Sequence, residues 1–178
     1  MKTKDIKRRI KEYFFLHPTT RLRVRQIERL VPVPLPSAIR YTKELEQEKL
    51  IKGSEIANIK VYSADRSSKN YLLEKKLFNI KQLFASGAID FLLEELSNPT
   101  IILFGSYSRG EDIETSDIDL YIETPSKKKL DLSSFEKKLQ RKIQLLVHKN
   151  IKSIENRELA NNIINGIPLH GFLEVFRE

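Results

Sequence analysis

The stretch LFGSYSRGEDIETSDIDLYIE, Leu103–Glu123, decides how the second half of the chain is read. TIILF, residues 100–104, is a short, continuously apolar run and predicts a buried strand. The chain then turns at Gly105-Ser106, passes through polar residues, and re-enters an alternating run, DIDLYIE, that predicts a second strand. Residues two apart in a strand share a face, so Asp117 and Asp119 project side by side while Ile118, Leu120 and Ile122 pack the other way. Two adjacent carboxylates repel unless something neutralises them. A divalent cation does so, and oxygen-only ligands favour magnesium or manganese over zinc. Upstream, Gly105 would let the backbone approach a phosphate, Ser106 adds a hydroxyl, and a helix start after them favours negative charge. A phosphate cradle beside metal-binding carboxylates suits a nucleoside triphosphate, whose oxygens the metal would bridge.

Working outward from this stretch, SSFEKKLQ predicts a short helix and RKIQLLVH a third strand. The order β-α-β-α-β implies a small α/β sheet covered by helices. IENRELANNIING predicts a closing helix to about Asn165, stopped at Gly166 and followed by an apolar tail. In the other direction, residues 67–98 read as helical throughout, with a break near Ser86–Gly87, and connect this part to what precedes it.

Charge divides the chain. The net charge is +8, and residues 1–66 hold sixteen Lys and Arg against eight Asp and Glu, whereas the remainder is balanced. The whole excess therefore lies in the first third, which suits either a solubilising face or contact with a polyanion. Here the periodicity predicts a helix over 4–17, with Ile6, Ile10, Tyr13 and Phe14 on one stripe, ended by Pro18. A short helix follows around Arg25–Leu30. VPVPLPS is a turn that starts a third helix from Ser37, with Ala38, Tyr41 or Thr42, and Leu45 buried. LIKGSEIANIKVYS alternates about Gly53–Asn58 as a hairpin does.

Three helices and a hairpin within residues 1–66 resemble a winged helix-turn-helix domain, and YTKELEQEKLI is similar to the end of a recognition helix entering the wing. The resemblance implies that Ser37, Arg40 and Lys43 face a DNA major groove, with Arg8, Arg21, Arg23 and Lys60 toward phosphates. The same fold also serves in packing or dimerisation, in which case Arg40 and Lys43 are a solvated face. The segment GSYSRGEDIETSDIDL resembles the signature of the minimal nucleotidyltransferases of the DNA polymerase β-like superfamily. Gly105, Ser106, Arg109, Gly110, Ser116, Asp117, Asp119 and Leu120 stand at the family's spacing. The resemblance implies that Gly105 and Ser106 hold the β- and γ-phosphates, with Arg109 either on phosphate or bracing the helix. It implies that Asp117 and Asp119 are the catalytic pair and bind Mg²⁺ (or Mn²⁺) for attack at the α-phosphorus of ATP or another NTP. The family's third acidic residue falls, by pattern, on Gln144, which cannot take a proton and is a poor magnesium ligand. His148, on the same strand face, is a substitute base or a structural residue, and Glu123 lies toward the solvent edge.

The expected fold is α+β: a winged helix domain over 1–66, a helical connector over 67–98 and a small α/β nucleotidyltransferase-like domain over 99–178. Two functions are expected. The first is transfer of a nucleotidyl group, AMP from Mg-ATP by default, to a protein or RNA acceptor, with an antitoxin role toward a HEPN-type toxin implied by the resemblance. The alternative is a DNA-binding transcriptional regulator whose second domain only binds nucleotide or is inactive. A homodimer is expected because winged-helix regulators read two half-sites. The chain has no cysteine, no run of about 18 apolar residues and no signal-peptide-like start, which places it in the cytoplasm and away from membranes.

Overall fold

The computed structural model describes residues 3–175. The chain is a mixture of helices and two sheets and divides into two units, Met1–Phe78 and Asn79–Glu178.

The first unit opens with α1 (Thr3–Leu16), whose Ile6, Ile10, Phe14 and Phe15 are buried at helical spacing. Helix α2 (Val24–Leu30) contributes the fully buried Ile27. Helix α3 (Leu35–Gln47) begins two residues ahead of Ser37, because Pro36 fits the first turn of a helix, where its missing N–H has no partner to lose. Ala38, Tyr41, Thr42 and Leu45 are buried together, and the Thr42 hydroxyl donates to the Ala38 carbonyl at 2.7 Å. Strands β1 (Ile51–Ile56) and β2 (Ile59–Ala64) pair antiparallel. Their two-residue turn, Ala57-Asn58, has φ of 48° and 62°, the left-handed pair that tight hairpins require. Leu22 and Tyr62 exchange backbone hydrogen bonds of 2.9 and 2.8 Å, which add the segment before α2 to the hairpin.

The segment 67–98, read as a connector, is helical in α4 (Lys69–Ser86) and α5 (Ala88–Glu95), and its residues are shared between the two units. Gly87, at φ 84°, separates the helices with a left-handed turn that glycine adopts without strain.

The second unit is a four-stranded sheet in the order β5-β4-β3-β6. Strand β3 (Thr100–Phe104) leads into the short helix α6 (Gly105–Arg109). It pairs antiparallel with β4 (Ile118–Glu123), placing Phe104 opposite Asp119. Strand β4 pairs parallel with β5 (Ile143–His148), and a parallel neighbour needs a crossover, supplied by the segment carrying α7 (Ser133–Leu139). Helix α8 (Arg157–Ile164) follows β5, and β6 (Ile167–His170) returns antiparallel to β3. The last strand was expected only as an apolar tail. Gly166 makes the return possible: a Cβ there would lie 2.6 Å from Ile102 Cγ2 and 2.7 Å from the Leu103 carbonyl.

The two faces of this sheet have different partners. Ile101, Leu103, Ile118, Leu120 and Ile122 pack with Leu83, Ile89 and Leu92 of the helices before the sheet. Full burial of side chains of this size contributes about 1.5–3 kcal/mol each. Ile102, Phe104 and Tyr121 occupy the opposite face with Ile163 of α8. By alternation, Asp119 belongs to this second face, at its open end.

Candidate active site

The turn from β3 into α6 holds the first component. Gly105 has φ 72°, in the left-handed region, and a Cβ on it would overlap Oδ2 of Asp119 and lie 3.1 Å from its Cγ. Glycine is required twice over, for the backbone angle and for the space beside the carboxylate. Ser106 is half-buried, and its hydroxyl has no hydrogen-bond partner among the described residues. With only five residues, α6 has little aligned backbone dipole to offer, so what the turn provides is a close, open backbone and a hydroxyl. Gly110, at φ 74°, ends the helix, and the Glu111 amide closes the turn on the Ser106 carbonyl at 3.0 Å.

Asp119 sits in β4 and is half-buried; Asp117 immediately precedes the strand and is exposed. Burial foremost, then the negative charge of Asp117, pushes the Asp119 carboxyl up from its ordinary value, while Arg109 pulls it back. The two aspartates therefore feel each other. Ser116, just before them, has a turn-forming role: its hydroxyl oxygen accepts from the Ile113 amide at 3.0 Å and its amide donates to the Ile113 carbonyl at 3.0 Å. Arg109 is exposed and its Nε donates to Glu111 at 2.7 Å, so an acid two residues along holds it near Asp119.

Gln144 stands directly across the parallel ladder from Asp119. Gly105, Arg109, Asp119 and Gln144 line one cleft of about 380 Å³, with Phe104, Leu146, Leu159 and Asn162 as its remaining walls. Asp117 instead borders a neighbouring cleft of about 480 Å³, lined also by Ser116, Glu136, Lys137, Arg141 and Lys142. His148 pairs with Glu123, four residues beyond Gln144 and so about 13 Å along the strand. Its Nδ1 lies 3.0 Å from the Ser153 hydroxyl and its ring stacks on Tyr121 at 6.2 Å between centroids. These are structural contacts, far from the aspartates. Glu123 accepts from the Tyr121 hydroxyl at 3.0 Å and the Ile151 amide at 2.9 Å, which ties it to the loop after β5.

Among the described residues no group of three or more His, Cys, Asp or Glu could enclose a metal ion. Two carboxylates completed by phosphate oxygens are nonetheless a usual magnesium arrangement, since that ion keeps waters and binds one or two carboxylates together with substrate phosphates. The cleft that Gly105 and Asp119 both line and the raised Asp119 carboxyl fit such an ion.

A brace behind the turn has no local sequence signature. Asn79, at the start of the second unit and buried, donates from its amide to the Tyr107 carbonyl at 2.9 Å and to Asp112 at 2.7 Å. The Tyr107 hydroxyl donates back to the Asn79 carbonyl at 3.4 Å, and burial pushes this phenol's pKa upward. Asn79 lies 28 and 33 residues away from its two partners, so no short motif links them. The α8 residues Leu159 and Asn162 were missed for the same reason: helical spacing predicts the helix but not the cleft it borders.

In the first unit Ser37 is half-buried and Arg40 and Lys43 are exposed on α3. Arg40 is engaged on its own helix, with Nε 2.9 Å from Glu44 and the guanidinium 5.0 Å from the Tyr41 ring centre. Lys60 is 3.0 Å from Glu46, whereas Lys43 forms no hydrogen bond or ion pair among the described residues. Arg21 and Arg23 are exposed, and Arg8 lies 3.7 Å from Glu12.

The cleft and the motif around it fall inside the segment that comparison with known families identifies. Residues 86–170, inside the second unit, match the family model of the nucleotidyltransferase domain. No curated protein and no solved structure gives a significant match to the chain. No helix among the described residues is long and apolar enough to cross a membrane.

Proposed function

We propose that the second unit binds Mg-ATP at Gly105, Ser106, Asp117 and Asp119 and passes AMP to a hydroxyl of a protein or RNA acceptor. The observation that carries this reading is the close packing of the Asp119 carboxylate against the side-chain-free backbone of Gly105, with both residues lining one cleft. In the reaction the acceptor oxygen forms a bond to the α-phosphorus, the bond to the β-phosphate breaks, and pyrophosphate leaves. When bound, the metal supplies charge neutralisation at the phosphates. The protein's share is to hold the phosphate oxygens beside Ser106 and Arg109 and to present the Asp117 and Asp119 carboxyl groups to the metal. The acceptor hydroxyl must lose its proton to solvent or to the acceptor's own groups, because Gln144 accepts none.

Gln144 favours a second reading. With an amide opposite Asp119, the site is better equipped to hold a Mg-nucleotide than to activate a nucleophile. In this reading the first unit is a winged helix-turn-helix that grips DNA through α3 and the second reports nucleotide to it. The excess basic charge of residues 1–66 and the unengaged Lys43 support a DNA-facing surface. An antitoxin that modifies a HEPN-type toxin and binds its own promoter as a dimer would combine the two readings in one cytoplasmic protein.

Calorimetric titration with ATP, with and without magnesium, tests the nucleotide site. Wild type binds in a magnesium-dependent manner and the Asp117→Asn/Asp119→Asn double variant does not; equal binding by both ends the proposal. For the DNA surface, Lys43→Ala lowers duplex affinity and flattens the salt dependence by about one unit of slope. An unchanged slope removes Lys43 from the interface.

A further inference from the structure

The cleft at Asp119 has two chemically different ends. Gly105, Arg109, Asp119 and Gln144 form a polar end. Phe104, Leu146 and Leu159 form an apolar end, all three belonging to the cluster that packs α8 onto the sheet. Asn162 also lines the cleft, three residues after Leu159 on α8, where side chains are neighbours.

Its amide makes no hydrogen bond among the described residues and is exposed. At about 380 Å³ the cleft falls within the range of small-molecule sites.

We propose that this apolar end is an adenine subsite and that Asn162 is the residue that reads the base. The inference rests on the nucleotide reading of the same site. A nucleotide whose phosphates meet Gly105 and Asp119 must put its base into one of the two clefts beside them. The neighbouring cleft presents Glu114, Glu136, Lys137, Arg141 and Lys142, and no aromatic or branched aliphatic side chain lines it. The Asp119 cleft offers an aromatic ring, two leucines and one neutral amide, the mixture that holds a nucleobase. A carboxamide carries a donor and an acceptor side by side. Adenine presents the complementary pair, an amino donor beside a ring-nitrogen acceptor, whereas the matching edge of guanine presents two acceptors. Meeting the base on its N6/N7 edge, Asn162 selects adenine over guanine, and the apolar walls supply contact that either purine could use.

The test is calorimetry on the full chain with magnesium and, in turn, ATP, GTP and inorganic tripolyphosphate, for wild type and Asn162→Ala. Because Asn162 is exposed and unbonded, its replacement leaves the fold intact, which a melting curve verifies. Wild type binds ATP about tenfold or more tighter than GTP, as one good bidentate contact provides. In Asn162→Ala the two nucleotides bind alike, while tripolyphosphate binding does not change. A preference for ATP that survives in Asn162→Ala overturns the assignment, as does wild type that binds ATP and GTP equally. Wild type that binds tripolyphosphate as tightly as ATP overturns the base subsite and leaves the phosphate and metal site standing. Failure to bind any of the three overturns both.

Discussion

Replacing Gly105 by alanine separates the two reasons for a glycine there. The first is conformational: φ is 72°, and an L-residue in the left-handed region costs about 1–2 kcal/mol. For a unit of this size each kcal/mol lowers the melting temperature by roughly 4–8 °C, so Gly105→Ala should melt about 4–16 °C below wild type. The second reason is steric. The new methyl would overlap Oδ2 of Asp119, and its nearest alternatives are the Cγ at 3.1 Å and the Cβ at 3.4 Å of the same side chain. A carboxylate can rotate away, so this clash costs little stability but removes the oxygen from the cleft. Loss of a well-placed ligand orientation typically lowers metal affinity about 10–100-fold, and magnesium-dependent ATP binding should fall by that much. Scanning calorimetry and ATP titration read the two effects on one sample. In an Asp119→Ala background the stability loss should persist and the additional binding loss should vanish, since no carboxylate remains to displace. A Gly105→Ala protein that melts with wild type refutes the conformational argument, and one that binds Mg-ATP at wild-type strength refutes the steric one.

The Asp119 carboxyl titrates above its ordinary value, burial and Asp117 being the causes. As pH falls through its folded pKa toward that ordinary value, the native state takes up a proton before the unfolded chain does. Metal-free protein should therefore gain stability over that window and lose it as pH rises, and Asp119→Asn should abolish this slope in denaturant melts at varied pH. Magnesium affinity should run oppositely, weakening as the carboxyl protonates, which a titration series across the same pH values measures. Gln144→Glu places a third carboxylate across the ladder from Asp119. It should raise magnesium affinity, release pyrophosphate from ATP faster than wild type in a coupled assay, and lower the melting temperature of metal-free protein at neutral pH through added repulsion. Magnesium affinity no better than wild type would remove position 144 from the site.

Much of the second unit is legible in short runs. TIILF is apolar without interruption and DIDLYIE alternates, and they are the neighbouring strands β3 and β4. What escapes is whatever depends on distant partners. IPLH contains a proline and follows a helix stop, so nothing local marks it as a strand; pairing with β3 makes it one. Asp117 reads as the first strand residue, yet the turn closed by Ser116 holds it just outside β4 and exposed. That is why the two aspartates border different clefts. In the first unit the start of α3 shifts ahead of Ser37 because proline both breaks helices and begins them, and sequence alone does not say which role Pro36 takes. The Asn79 brace and the α8 wall are invisible at sequence level, since a side chain's long-range partner leaves no trace in its own spacing.

The parallel register that sets Gln144 opposite Asp119 has a consequence for how this protein can change over generations. The ladder fixes the position of the side chain at 144 whatever its terminal group, and glutamine and glutamate share the same carbon skeleton. In the genetic code the two are one base apart, CAA or CAG against GAA or GAG. A lineage carrying this strand pairing therefore needs no rearrangement of the sheet to exchange an amide for an acid at that place. On the proposed reading of the site, a nucleotide holder and a transferase are adjacent in mutational space, and selection can move between them without first rebuilding a fold.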